Sequence, residues 1–352
     1  MMQIAALGPW FDQLGRPLQE LRVSVTDRCN FRCRYCMPRE HFGPQHRYVP
    51  RDQILSFEEI LRVVTILHTV GLRKVRLTGG EPLLREDLCQ LVRQLKDLPR
   101  LELAMTTNGS ILPQFARSLK NAGLDRITVS LDALDNEVFR RTSDSRYSVD
   151  DVLSAIDAAV AAGFASLKIN CVVKRGMNDD QILPLVERFR DGPHELRFIE
   201  FMDTGETPTW SRADVFTADE ILSCIESCYP LEPLEPANYG QTSRMYKHTQ
   251  SAGRVGIIAS VSHPFCGSCT RARLTARGEL HTCLFAQNSL NLRHMLRSGL
   301  SDGEIYHALF RAWSKRADRY SELRASHGWS VSEVRLRESA RQGRPEMSYL
   351  GG

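Results

Sequence analysis

At 352 residues the chain is longer than one small domain, although α/β barrels often run as a single unit of roughly 200–250 residues. Hydrophobic residues make up 42% and charged residues 25%, and the net charge of +4 is too mild to argue for a nucleic-acid or membrane partner. No apolar run approaches the ~18 residues of a membrane span, and the first twenty residues, with Asp12 and Glu20, lack the layout of an export signal.

In chain order, residues 1–20 form an N-terminal segment. From 21 to 202, short β-branched or apolar runs alternate with helical patterns. The runs at 21–26, 74–78, 101–107, 126–131, 167–174 and 195–202 are predicted strands. A capping box at Ser56 and Glu59 opens a helix to Val70 that Gly71 ends. Further helices are predicted at 85–98, 112–122, 149–162 and 179–190, with Gly123 and Gly163 at two of the stops. Six strand–helix units call for a parallel sheet with right-handed crossovers. The predicted fold class is α/β, a partial (β/α)₆ TIM-like barrel, with a doubly wound open sheet as the alternative. Either places the site at the strand C-termini. Residues 203–340, rich in Pro and Gly at first, read as a separate C-terminal portion, and 341–352 as a tail of little apolar periodicity ending Gly351-Gly352.

Ten cysteines are too sparse for a disulfide scaffold; clustered in a chain without an export signal, they read as metal ligands in a reducing cytoplasm. Cys29-x₃-Cys33-x₂-Cys36 follows the first predicted strand, and Cys266, Cys269 and Cys283 form a second trio. Each is one ligand short of the four cysteines that usually hold an iron–sulfur cluster, so each would leave one iron open to a small molecule. Arg28, Arg32 and Arg34 are expected to favour thiolate in the first trio. Structural zinc is the alternative, with His41 or His46 as fourth ligand to the first trio and His263 or His281 to the second. Arg271 and Arg273, alternating beside the second trio, suit bidentate phosphate binding, or else form a solvated surface pair. Lys74 and Arg76 alternate on one strand face, and Lys168 and Arg197 also fall on predicted strands, where an inward charge is costly without an anion. Cys89, Cys171, Cys224 and Cys228 read as packing residues.

The first trio, with Tyr35 before its last cysteine, resembles the signature of the radical S-adenosylmethionine superfamily. Thr78-Gly79-Gly80-Glu81-Pro82, at the end of the second predicted strand, is similar to that superfamily's glycine-rich element. Together with residues 21–33 and 74–85, the stretch around Cys266 and the terminal Gly-Gly, the chain resembles the GTP 3′,8-cyclase family of molybdenum cofactor biosynthesis over nearly its whole length. The resemblance implies a radical S-adenosylmethionine barrel whose C-terminal extension carries a second [4Fe–4S] cluster. The first cluster and S-adenosylmethionine would generate a 5′-deoxyadenosyl radical. That radical takes the ribose 3′ hydrogen of GTP, and C3′ then bonds to C8 of a guanine held at the second cluster.

Carried over residue by residue, the resemblance implies Cys29, Cys33 and Cys36 at cluster 1 and Cys266, Cys269 and Cys283 at cluster 2. It implies Tyr35, Gly80, Ser130 and Met202 at S-adenosylmethionine. It implies Arg22, Lys74, Arg76, Thr107, Lys168, Arg197, Arg271 and Arg273 at GTP. Arg22, Gly351 and Gly352 take catalytic roles, the last two on a mobile tail reaching back into the site. Thr270 and Arg277 depart from the family pattern, where Asn and an acidic residue are expected. The implied partners are GTP, S-adenosylmethionine, an external electron donor and the downstream cyclic pyranopterin synthase; no nucleic acid or membrane is expected. Dimers are common in the family, though no feature of this chain demands one. The alternatives are another twin-cluster radical enzyme, whose second cluster transfers electrons, and a zinc protein binding nucleic acid through its arginines.

Overall fold

The computed structural model describes residues 8–205, 210–326 and 346–351. Strand β1 (Glu20–Ser24) leads through the first cysteine loop to helix α1 (Phe57–His68). There follow β2 (Lys74–Thr78), α2 (Leu88–Lys96), β3 (Glu102–Thr107), α3 (Ala116–Asn121) and β4 (Arg126–Ser130). Helices α4 (Asn136–Ser143) and α5 (Val149–Ala161) precede β5 (Lys168–Val173), α6 (Ile182–Phe189) and β6 (Glu195–Glu200). These six strands pair in parallel and in sequential order. A doubly wound sheet would reverse its order at a switch point; this one does not, and it is a partial barrel.

The chain continues through α7 (Ala218–Glu226), β7 (Leu231–Leu234), β8 (Arg244–His248), β9 (Arg254–Ile258), β10 (Arg271–Leu274), β11 (Glu279–His281) and β12 (Leu290–Asn291). Helices α8 (Leu292–Arg297), α9 (Asp302–Ser314), α10 (Tyr320–Ser326) and α11 (Met347–Leu350) complete the described residues. Strand β9 pairs in parallel with β6, and β10 with β1. The strands after Met202 therefore extend both edges of the six-stranded run into one twelve-stranded sheet.

Alternation decides what faces what. Leu21, Val23, Val75, Leu77, Leu103, Met105, Ile127, Val129, Ile169 and Phe198 are buried against the helices. Each contributes about 1.5–3 kcal/mol of burial. Their neighbours on the opposite face are Glu20, Arg22, Lys74, Arg76, Thr106, Thr128, Lys168 and Arg197. A one-residue slip would drive arginines into the helix layer, so the register is strongly specified. A closed barrel fills its interior with Val, Ile and Leu; a charged interior instead leaves a lined space.

Helix α1 starts as predicted, with Ser56 accepting from the Glu59 amide and Glu59 reaching back to the Ser56 amide. Helix α2 begins later than predicted, after a 3₁₀ turn (Pro82–Leu84) and a left-handed Asp87. The stretch 112–122 opens with a 3₁₀ turn containing Pro113 before α3, and 179–190 opens with another before α6. Helix α4 was not predicted: in eight residues its apolar pair, Val138 and Phe139, makes no repeating stripe, though Asp135 caps it through the Glu137 and Val138 amides. Cys171 is buried, but Cys228 is exposed, so it does not pack as predicted. No helix of the described residues is long and apolar enough to cross a membrane.

Candidate active site

The loop after β1 winds the first trio into a turn: the amides of Cys36 and Met37 both donate to the Cys33 carbonyl, at 2.9 and 2.8 Å. Phe31, buried against Phe139 and Tyr147, pins the loop to the helices. The Cys29 sulfur accepts from the Phe31 amide at 3.4 Å, and Asn108 Nδ2 lies 3.9 Å from it. Gly79 and Gly80 let the end of β2 pass under this loop. A Cβ on Gly80 would stand 2.3 Å from the Arg28 carbonyl oxygen, and one on Gly79 would stand 2.4 Å from that of Thr26. Glu81 locks the crossing, accepting from the Leu83 and Asn108 amides and the Thr107 hydroxyl. Burial raises its carboxyl to about 7.

Of the arginines expected to favour thiolate, Arg32 does draw the Cys29 thiol down, but burial outweighs it. Burial pushes the Cys29 thiol up to about 12, and Cys33 and Cys36 rise well above the ordinary range. Arg32 spends its guanidinium on the carbonyls of Cys29, Phe31 and Phe42 and on the Tyr48 hydroxyl, and Arg28 and Arg34 are exposed. Arg32 therefore braces the loop backbone.

The second trio is assembled by a hairpin. Cys266 opens a 3₁₀ turn that Cys269 caps before β10, and Cys283 follows β11, whose His281 pairs with Arg273. Here a cation does reach sulfur: Arg271 Nη2 donates to Cys269 Sγ at 3.2 Å. Burial opposes ionisation of Cys269, but Arg271 and Arg316 outweigh it and hold the thiol at about 6. Beneath lies a buried cradle. Arg16 donates to the Cys266 carbonyl at 2.7 Å and Arg316 to the Cys269 carbonyl at 2.8 Å, and both pair with Asp12. His263 is engaged by Ser262 and lies 3.9 Å from Asp219, and both ring nitrogens of His281 are buried without a partner among the described residues. His41 is exposed, and His46 packs its ring against Phe42 and Tyr48. No three Cys, His, Asp or Glu side chains among the described residues converge closely enough for a single metal ion.

One cavity is lined by all six of these cysteines and by Arg22, Tyr35, Arg76, Gly80, Thr107, Ser130, Arg197, Met202, Arg271 and Arg273. Cα register places Arg273, Arg22 and Arg76 side by side on β10, β1 and β2. Burial holds Arg22 down to about 10 and lowers Arg273 and Arg197. Arg76 Nη1 donates to Thr106 and Thr128, each at 3.1 Å. Lys74 and Lys168 lie at the barrel's N-terminal end, outside the cavity wall; Lys74 is 3.7 Å from both Glu20 and Glu102, and Lys168 is 3.6 Å from Glu195. Burial alone would raise Glu20, yet Arg22, Lys74, Arg76 and Arg271 hold it far below the usual carboxylate range. These three carboxylates do not balance the seven expected cations, and the excess suits a ligand of several negative charges. Arg22 Nε and Asn170 Oδ1, both in the cavity wall, are buried with no hydrogen-bond partner among the described residues.

Sequence reasoning missed Glu20, Asn108, Asp132 and the Asp12 cradle. Asp132, in the cavity wall, accepts from the Tyr35 hydroxyl at 2.6 Å and the Val172 amide at 2.8 Å; burial raises it to about 6. Its signal was its place just past a strand end, beside Ser130. At the tail, Arg273 Nη1 donates to the carbonyls of Leu350 and Gly351. Gly351 has φ +73°, and a Cβ there would overlap the Thr78 side chain. Gly352 lies outside the described residues.

Residues 23–189 match the family model of the Radical SAM superfamily, and residues 194–322 match Molybdenum Cofactor Synthesis C. A GTP 3′,8-cyclase of Acidothermus cellulolyticus is 48% identical, over 98% of this chain and 99% of its own length. One of Staphylococcus haemolyticus is 44% identical over 97% and 98%. In fold, the chain is similar to the crystal structure of Streptococcus suis SuiB bound to S-adenosylmethionine (TM-score 0.58, 13% identity), over 91% of this chain and 71% of that one. With a radical S-adenosylmethionine barrel, a cofactor-synthesis C-terminal region and full-length likeness to curated cyclases, the chain belongs to the GTP 3′,8-cyclase family.

Proposed function

We infer that this chain is the cyclase that converts GTP to (8S)-3′,8-cyclo-7,8-dihydroguanosine 5′-triphosphate, the first step of molybdenum cofactor biosynthesis. One observation carries the reading: a single cavity holds both cysteine trios and, between them, an arginine layer with unsatisfied donors.

The donor sets suit two [4Fe–4S] clusters. Three soft thiols at each site leave one iron open, and the buried thiols of the first trio, costly to ionise alone, suit a ligand that brings positive charge. Cys29, Cys33 and Cys36 would hold the first and Cys266, Cys269 and Cys283 the second. When bound, the first cluster and S-adenosylmethionine supply a 5′-deoxyadenosyl radical. The side chains do the rest. Tyr35, fixed by Asp132, and Gly80, Ser130 and Met202 seat S-adenosylmethionine. Arg22, Arg76, Arg197, Arg271 and Arg273, with Thr107, hold GTP in the cavity. Lys74 and Lys168 below extend the positive field toward its phosphates. Arg22 and the tail glycines Gly351 and Gly352 complete the catalytic set, with Arg273 tethering the tail. Burial of the site excludes water that would quench a radical. An external donor supplies the electron, and the product passes to cyclic pyranopterin synthase in a reducing cytoplasm.

The test is anaerobic reconstitution. Two clusters' worth of iron and sulfide per chain and 5′-deoxyadenosine release that depends on GTP are expected. Cys29→Ala should abolish release while GTP still binds. Release indifferent to GTP in intact protein would overturn the substrate assignment.

A further inference from the structure

The chain's positive charge is concentrated at one place. Residues 28–51, which carry the first trio, and 140–146, at the end of α4, hold nine arginines against two acids, Glu40 and Asp144. That local excess is larger than the +4 of the whole chain, so the remainder is net negative. The two segments are joined in space: the Arg32 amide donates to the Ser143 carbonyl, the Arg34 amide to that of Thr142, and Arg39 pairs with Asp144. Arg28, Arg34, Arg39, Arg47, Arg51, Arg140, Arg141 and Arg146 are exposed. Among the described residues only Arg39 and Arg51 of these have a carboxylate partner. Such a concentration of like charge is self-repelling, and a partner of opposite sign relieves it.

We propose that this arginine collar docks an acidic one-electron carrier protein, which delivers its electron at the first cysteine trio. The proposal rests on the function inferred above, which requires an electron at that site. Three observations select the partner. Arg28 and Arg34 adjoin the ligand cysteines in the backbone, so anything seated on the collar lies against the first trio. The collar's arginines lie on the outer surface, whereas a nucleotide-sized anion already has inward-facing arginines in the cavity. The exposed large apolar side chains of the described residues, Tyr239 and Phe310 among them, all lie outside these two segments. Tyr48 and Tyr147 are covered by Arg28 and Arg146. A single-stranded nucleic acid would need open stacking faces. The transfer is one electron alone: the carrier is oxidised by one and the first-trio site reduced by one, with no proton or atom passing.

The probe is a purified flavodoxin, added to the reconstituted holoenzyme. Two readouts are taken: flavodoxin affinity at low and raised salt, and 5′-deoxyadenosine release driven by reduced flavodoxin or by dithionite, which needs no docking. The collar variant is Arg47→Glu/Arg140→Glu/Arg146→Glu, which leaves the cysteine motif itself untouched. Arg117→Glu/Arg188→Glu/Arg311→Glu is matched in charge but lies elsewhere. Affinity and flavodoxin-driven release should fall about tenfold or more in the collar variant, and the parent's affinity should weaken with salt. Dithionite-driven release should stay within about twofold, and the matched variant should resemble the parent. If the Glu variant fails to fold, the Gln triple at the same positions should show the same loss to a smaller degree.

Undiminished flavodoxin binding in the collar variant overturns the proposal. So do equal losses in the matched variant, a parallel loss with dithionite, and tighter binding of a single-stranded RNA than of flavodoxin at the same salt. Absence of GTP-dependent release with dithionite in the parent would instead sink the inferred function, leaving the flavodoxin affinities to decide the collar.

Discussion

Burial, and then the neighbouring Arg197, pull Lys168 down to about 7, so it is cationic below that pH and neutral above it. A triphosphate near Lys168 would favour the protonated form. GTP affinity is therefore expected to fall as pH rises from about 7 to 9, by up to about tenfold per unit for one linked proton. Lys168→Arg keeps its charge throughout and should flatten the profile. Equal slopes for parent and variant in equilibrium binding would remove Lys168 from the nucleotide site. At Gly80 the issue is space. Alanine there must displace the Arg28 carbonyl and the Cys29 side chain. Gly80→Ala is expected to cost roughly 1–3 kcal/mol in a urea titration and to lower iron at the first site. Full iron loading with an unchanged midpoint would contradict the close crossing.

Among the elements, the N-terminal segment does more than its position suggests. Asp12 is buried and accepts from Arg16 and Arg316, which in turn hold the carbonyls of Cys266 and Cys269. Asp12→Ala would leave the buried Arg16 guanidinium without a carboxylate and Arg316 with only Asp318, 3.7 Å away, at a cost of roughly 3–5 kcal/mol. The same variant should bind iron closer to one cluster's worth than two, with the first site kept. Loss of both sites together would show that the cradle serves general stability alone. The strands were legible because each alternates an apolar and a polar face. Glu20 was missed although it shares the face of Arg22, because a glutamate at a strand's first position reads as solvent-facing until β10 and β2 close over it.

For the molecule as a whole, the cofactors are expected to be part of the fold. Each trio is local in sequence, but distant segments hold its loop in place, Thr142 and Ser143 at the first and Arg16 and Arg316 at the second, so an unfolded chain has no fixed site and loading stabilises the folded form. Stripping iron anaerobically with a chelator is expected to lower Tm by roughly 5–10 °C. Coincident melts of loaded and stripped protein would show that the sites form independently of metal. The extension of the sheet at both edges by the segment after Met202 was beyond sequence reading: a strand such as Leu290–Asn291 is too short to carry a pattern, and nothing local says which edge a late strand joins.

Ligand chemistry, reactive loop and barrel periodicity are local: Cys29-x₃-Cys33-x₂-Cys36, the Gly79-Gly80 crossing and the two-residue alternation of Lys74 and Arg76 can all be read along the chain. The meeting of the two trios around one cavity, the partnership of Tyr35 with Asp132, and the reach of Asp12 to the second site are decided only in three dimensions. They pair residues separated by about a hundred positions or more. No local pattern encodes such contacts; the packing that buries the apolar faces of the strands brings them together.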